Sequence, residues 1–121
     1  MTQRRGLIIL LFTGLTSILA WAGVSPAEQA RIDRLIGYVA SRDEVKFIRN
    51  GSEYSCHDAA KFMRGKMKAM GEHVSTAQQF IDQIASKSST TGQPYLIRLS
   101  DGKTLPVAQF LAEELQRMDA K

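Results

Sequence analysis

The sequence predicts an α+β fold: four helices packed on a small antiparallel sheet built from two hairpins, preceded by an N-terminal signal peptide. Three observations predict it. The first quarter of the chain is apolar and almost uncharged, unlike everything after it. Apolar residues then recur at helical spacing in four separate segments. Two tight-turn signals, Asn50-Gly51 and Asp101-Gly102, each lie between short strand-like runs.

The N-terminus has the charge asymmetry of an export signal. Arg4 and Arg5 precede a stretch from Gly6 to Ala27 with no charged residue, and Ala20, Trp21, Ala22 is the small-x-small pattern that a signal peptidase reads. The expected cut falls between Ala22 and Gly23, leaving residues 23–121 as one small α+β domain. The alternative is an uncleaved inner-membrane anchor, but Gly6 to Ala22 spans only 17 residues and is diluted by Gly14, Thr16 and Ser17. Arg4-Arg5 also matches part of a twin-arginine signal, so the general secretory and twin-arginine routes both stay open. Export without a cysteine at the cleavage site points to a periplasmic location, with membrane contact only through the signal peptide before cleavage.

Cleavage lowers the formal charge from +4 to +2. A nucleic-acid partner would call for a strong basic excess with a reading helix or interleaved aromatics, and neither is present. The single cysteine, Cys56, allows no intrachain disulfide, so the core alone must hold the domain.

Along the mature chain, Ser25-Pro26-Ala27-Glu28 reads as a capping box with proline at the first helical position. Ile32, Leu35, Ile36 and Val39 then form an inward stripe that ends near Ser41. Asn50-Gly51 joins Val45–Arg49 to Ser52–Ser55. A two-residue turn pairs Arg49 with Ser52 and Phe47 with Tyr54, and would place Val45 opposite Cys56, so Val45, Phe47, Tyr54 and Cys56 are expected on the core face. Ser55 with Asp58 caps a second helix whose apolar positions are Ala59, Phe62, Met63, Met67 and Met70, stopped by Gly71. Ser75 with Gln78 opens a third helix of about three turns through Ala77, Phe80, Ile81 and Ile84. Ser86 to Gln93 is a polar loop. Tyr95–Leu99 and Lys103–Leu105 make the second hairpin, and Pro106 opens the last helix, with Val107, Phe110, Leu111, Leu115 and Met118 on one side.

Two features stand out as candidates for chemistry. Lys66 falls inside the apolar stripe of the second helix. Either its stem packs on apolar surface while the ammonium reaches water, or the charge is held for a ligand, a backbone carbonyl or a tuned base. The Ser86–Gln93 loop, with five hydroxyls and Gly92, reads either as plain turn chemistry or as a donor-rich surface for an anion, sugar or peptide. A Lys66 dyad with Ser88 or Ser89 for acyl transfer lacks a supporting motif. Cys56 reads as a small buried hydrophobe. The His57-Asp58 and Glu72-His73 pairs lack metal-site spacing, and no metal or cofactor is expected.

Phe47, Ile48, Arg49, Asn50, Gly51, then Tyr54, Ala59 and Lys66, and later Ser86, Ser88, Gly92, Pro94 and Tyr95 form an ordered series between about Glu28 and Met118. The series resembles the YfeK-like family, small exported proteins of Gram-negative bacteria classed as a domain of unknown function. The resemblance implies one periplasmic α+β domain and brings over no catalytic residue, substrate or cofactor. This chain has Phe62 where relatives often have His and Thr91 where they often have Ser. Separately, Thr91-Gly92-Gln93-Pro94-Tyr95 nearly matches the Ser-Gly-x-x-Tyr loop that bacterial lysozyme inhibitors insert into the enzyme cleft.

The resulting expectation is a non-enzymatic periplasmic binding or envelope-accessory module whose partner is an unknown periplasmic protein or cell-envelope ligand. Its contact surface would involve Arg49, Lys66, Ser86, Ser88, Ser89, Gly92 and Tyr95. A lysozyme-inhibitor-like protein and a small Ser/Lys hydrolase are the competing readings.

Overall fold

The first helix begins where its capping chemistry places it. The Ser25 hydroxyl accepts the Glu28 backbone N–H at 3.2 Å, and Pro26 fills the first helical position of α1 (Pro26–Ala40). The computed structural model describes residues 23–120; the expected signal peptide and its cleavage site after Ala22 lie outside them. Ile32, Leu35, Ile36 and Val39 are all buried, as their spacing requires. Only half of the expected capping box forms. The Glu28 carboxylate leaves its own helix to accept the Ala77 N–H at 2.8 Å and to pair with Arg31 at 2.7 Å. Those two donors hold its pKa below the usual carboxylate value.

The first hairpin joins β1 (Lys46–Arg49) to β2 (Ser52–Ser55) through Asn50 and Gly51, with φ of 51° and 82°. Both turn residues therefore occupy the left-handed region that a two-residue hairpin turn demands. The register pairs Phe47 with Tyr54 and Arg49 with Ser52, as expected, but the ladder stops at Lys46 and Ser55. Val45 and Cys56 do not form a further rung. Ser55 instead becomes the N-cap of α2 (Cys56–Met70), accepting the Asp58 N–H at 3.0 Å. The Cys56 thiol still reaches the Val45 carbonyl, at 3.6 Å.

Two expected core positions are corrected. Tyr54 is 37% exposed because β2 is the sheet edge, with no further strand beside it among the described residues, although its ring leans on Phe47. Met70 is 52% exposed as the last residue of α2.

The third helix starts one residue later than expected and is shorter. Thr76 caps α3 (Ala77–Gln83) by accepting the Gln79 N–H at 3.1 Å, while the Gln79 side chain accepts the Ser75 N–H at 2.7 Å. The cap thus runs from Thr76 to Gln79, not from Ser75 to Gln78, and it is not a reciprocal box, because the Gln79 side chain takes the N–H of the residue before the N-cap. The helix has seven residues, about two turns. Ile84 and Ala85 continue into the core as irregular chain.

The second hairpin pairs β3 (Leu96–Arg98) with β4 (Thr104–Pro106), and β3 also pairs antiparallel with β1, giving the order β2-β1-β3-β4. Pro106 is the N-cap and not the first residue of α4 (Val107–Asp119). Strand alternation turns Phe47 and Ile97 into the helix-covered core and leaves Ile48 and Leu96 half-buried on the other face. A single cluster of buried side chains drawn from all four helices, β1 and β3 forms the core. Among the described residues no helix is long and apolar enough to cross a membrane.

Candidate functional site

Strand alternation also places Arg49. It shares the core-facing side with Phe47 but sits at the last position of β1, where the sheet ends before the Asn50-Gly51 turn. Its guanidinium lies 4.5 Å from the centre of the Phe62 ring on α2 and 5.5 Å from that of Tyr54 on β2. Among the described residues it has no carboxylate partner. Cation–π contacts on two rings orient a charge that is otherwise uncompensated.

Lys66, one helical turn beyond Phe62, is only 8% exposed. Its Nζ donates to the Lys87 carbonyl at 2.8 Å and to the Tyr95 hydroxyl at 3.0 Å, and lies 4.9 Å from the Tyr95 ring centre. The side chain is therefore held inside, on a backbone carbonyl and a phenol, in place of reaching freely into water. Burial first, and the neighbouring Arg49 charge second, lower the Lys66 pKa; burial raises that of the Tyr95 phenol, with Arg49 opposing. Both shifts disfavour an ammonium–phenolate ion pair.

The Ser86–Gln93 loop is more ordered than its composition indicates. Ser88 donates its N–H to the Gln93 carbonyl at 2.9 Å, Tyr95 donates to the Ser86 carbonyl at 3.0 Å, and Lys87 and Pro94 form an isolated bridge. The buried Ser88 hydroxyl accepts the N–H groups of Thr90 and Thr91, both at 3.3 Å, and bonds the Thr90 hydroxyl at 3.0 Å. Gly92, at φ 75°, closes the turn by donating to the Ser88 carbonyl at 3.0 Å. The Thr91 hydroxyl reaches across to Asn50 Oδ1 at 2.6 Å and ties this loop to the hairpin tip.

These three elements enclose an open cleft of about 430 Å³ lined by Arg49, Asn50, Phe62, Gly65, Lys66, Met70, Ser88, Ser89, Thr90 and Tyr95. Five of the seven candidate contact residues thus meet there: Arg49, Lys66, Ser88, Ser89 and Tyr95. Ser86 and Gly92 do not line it; the Ser86 hydroxyl donates to the Asp82 carbonyl at 2.6 Å, and Gly92 shapes the loop from behind. Among the described residues the two charges in the lining are both positive, and no acid accompanies them.

Asn50, Phe62, Gly65 and Met70 were not among the candidates, and Thr90 was one only as part of its hydroxyl-rich loop. Gly65 had a legible signal, being a helix-interior glycine, which costs about 1 kcal/mol relative to alanine. Space for a Cβ is open at Gly65, so packing does not require the glycine.

Other candidate groups are placed elsewhere. Cys56 is 2% exposed, and burial, with the Glu44 charge adding, pushes its thiol pKa up to about 11. His57, Asp58, Glu72 and His73 are exposed at helix ends. No hydrogen bond joins Lys66 to Ser88 or Ser89; the Ser88 hydroxyl is engaged within its loop, and that of Ser89 approaches Met70 Sδ at 3.7 Å. Tyr95 is 1% exposed, so its ring is not presented for insertion into another protein.

The lysine hold gives a direct test. In urea unfolding, Lys66→Met should cost about 0.5–1.5 kcal/mol less in a Tyr95→Phe background than in the parent, because the phenol no longer loses its donor. Strict additivity would mean that the bond contributes nothing.

Fold and cleft together define a small α+β domain with a cationic, aromatic-walled cleft between a helix, a hairpin tip and a self-bonded loop. The chain belongs to the family of unknown function DUF5329, whose pattern matches residues 26–119. It is also 40% identical over 81 residues to the uncharacterized protein YfeK of Salmonella typhimurium, covering 67% of this chain and 68% of that protein. No solved structure matches.

Proposed function

We propose that this protein is an exported, non-enzymatic binding module of the cell envelope, and that the Arg49–Lys66 cleft is where it takes a small anionic ligand. The observation that carries the reading is the pairing of two cations, with no carboxylate beside them among the described residues, in one open cleft walled by Phe62, Met70 and Tyr95. Keeping two like charges together costs free energy that an incoming anion would recover. The apolar walls and the volume suit a small molecule or a short segment, not a flat protein interface. The uncharged N-terminal stretch with its Ala20-Trp21-Ala22 ending supports the periplasmic part of the reading. The internal hydrogen bonds of Lys66 and Ser88 favour binding over a serine–lysine hydrolase. The burial of Tyr95 likewise disfavours the lysozyme-inhibitor alternative.

Two measurements test this. Protein recovered from the osmotic-shock fraction should begin at Gly23 and contain no tryptophan, since Trp21 is the sole copy. Full-length protein confined to the cytosol would overturn the exported part. The purified protein should bind an apolar anionic dye, anilinonaphthalene sulfonate, with an affinity that falls roughly tenfold in Arg49→Gln, the loss of one charged contact. It should not react with a fluorophosphonate. Dye binding indifferent to Arg49, or covalent labelling of Ser88 or Ser89, would overturn the binding reading.

A further inference from the structure

Resting on the cleft being an anion site, we infer that its ligand is a carboxylate carried on an apolar body, and not a phosphate or a polyanion. Three features of the site point there.

The first is what the loop no longer offers. Loops that hold phosphate present several free backbone N–H groups, often with a helix N-terminus behind them. Here the N–H groups of Ser88, Thr90, Thr91, Gly92 and Gln93 are consumed by acceptors within the loop, and of the loop residues lining the cleft only Ser89 has an N–H without an acceptor among the described residues. The helix end nearest the cleft is the C-terminal turn of α2, which lines it through Met70, so the helix dipole favours no anion. A tetrahedral, doubly charged group would find two cationic side chains, the single Ser89 N–H and a few hydroxyls, too few donors for its oxygens.

The second is the presentation of Arg49. With its guanidinium against the Phe62 and Tyr54 rings at 4.5 and 5.5 Å from their centres, aromatic surface takes up part of its contact area. Its N–H groups remain uncommitted to any carboxylate among the described residues, and the planar fork matches the two oxygens of a carboxylate. Lys66 donates two of its three N–H bonds internally, to Lys87 and Tyr95, leaving one for a ligand oxygen.

The third is the remainder of the lining. Phe62 and Met70, with the Cβ-less surface of Gly65 between them in sequence, leave a shallow apolar trough beside the charges, with space open at Gly65. An alkyl or aryl group would occupy that trough. The same chemistry comes from a free organic acid or from the C-terminus of a peptide ending in an apolar residue.

The test is titration of the 15N-labelled protein with four probes: 3-phenylpropionate, phenyl phosphate, the neutral 3-phenylpropanol, and an N-acetylated tripeptide ending in leucine. A carboxylate probe should shift the amides of Gly65, Ser89 and Thr90 and bind at least about tenfold tighter than phenylpropanol, the margin one charged contact supplies. Arg49→Gln should erase that margin. Gly65→Leu should weaken carboxylate binding by filling the trough, while Gly37→Leu, at an open helical position on α1, should leave it unchanged. Tighter binding of phenylpropionate than of the tripeptide would support a free acid as the source, and the reverse a chain terminus. Phenyl phosphate binding the cleft more tightly than either carboxylate would overturn the ligand class while leaving the anion site standing. Failure of every anionic probe to shift these amides would overturn the anion site itself.

Discussion

Phe47→Ala is expected to lower the unfolding free energy by about 3–5 kcal/mol, the usual cost of truncating a fully buried aromatic. Phe47 is 1% exposed, and its ring meets those of Tyr95, Phe62 and Tyr54 at centre distances of 5.3, 6.3 and 6.4 Å. Removing it would leave a void under both aromatic walls of the cleft, so the loss has a structural and a functional part. With a domain stability on the order of 5–15 kcal/mol, the variant would sit near the edge of folding. Urea titration should show the midpoint falling by roughly 2 M for a slope near 2 kcal/mol per molar. Phe47→Leu, which keeps most of the volume, should cost only about 1 kcal/mol. A Phe47→Ala protein as stable as the parent would show that this ring is not the keystone between sheet and cleft.

The second large effect is an alkaline loss of stability governed by Cys56. Its thiol pKa is raised from 9.0 to about 11 in the folded state, chiefly by burial. Between those two values the folded chain keeps a proton that the unfolded chain releases. The thiol's contribution is thus fully present below pH 9 and is lost as the pH rises toward 11. Two pH units of difference amount to roughly 2–3 kcal/mol. The parent protein should therefore lose about that much more stability than Cys56→Ala between pH 9 and pH 11. Parallel pH profiles for the two proteins would contradict a buried, protonated thiol. At neutral pH the same burial should leave Cys56 unreactive to thiol reagents in native protein and reactive in urea.

The elements were legible wherever a local rule decides the backbone. Asn50-Gly51 demanded a two-residue turn, and the register followed; Ser55 with Asp58 demanded a helix start. The misplacements came where distant groups compete for the same atoms. Glu28 could have completed the capping box of α1, but the Ala77 N–H, 49 residues away in sequence, claims its carboxylate. Tyr54 and Met70 carried apolar periodicity, yet one sits on the edge strand and the other at the end of its helix, and both are exposed. Periodicity reports which face a residue is on and is silent about whether anything covers that face.

The candidate cleft divides in the same way. Lys66 announced itself as a charge in an apolar stripe, and the hydroxyl-rich loop by its composition. Their meeting depends on the chain folding back across a separation of 21 positions so that the Lys87 carbonyl arrives at the ammonium. The roles within the loop were equally hidden, since Ser88 and Ser89 are adjacent and chemically identical, yet one is buried in the turn and the other faces out. What the sequence by itself determined is the order and kind of the elements, because caps, turns and periodicity act within a few residues. What only the tertiary structure decided is which charges share a cavity and which donors remain unspent. Those outcomes are set by long-range contacts, whose energies depend on partners that no local segment contains.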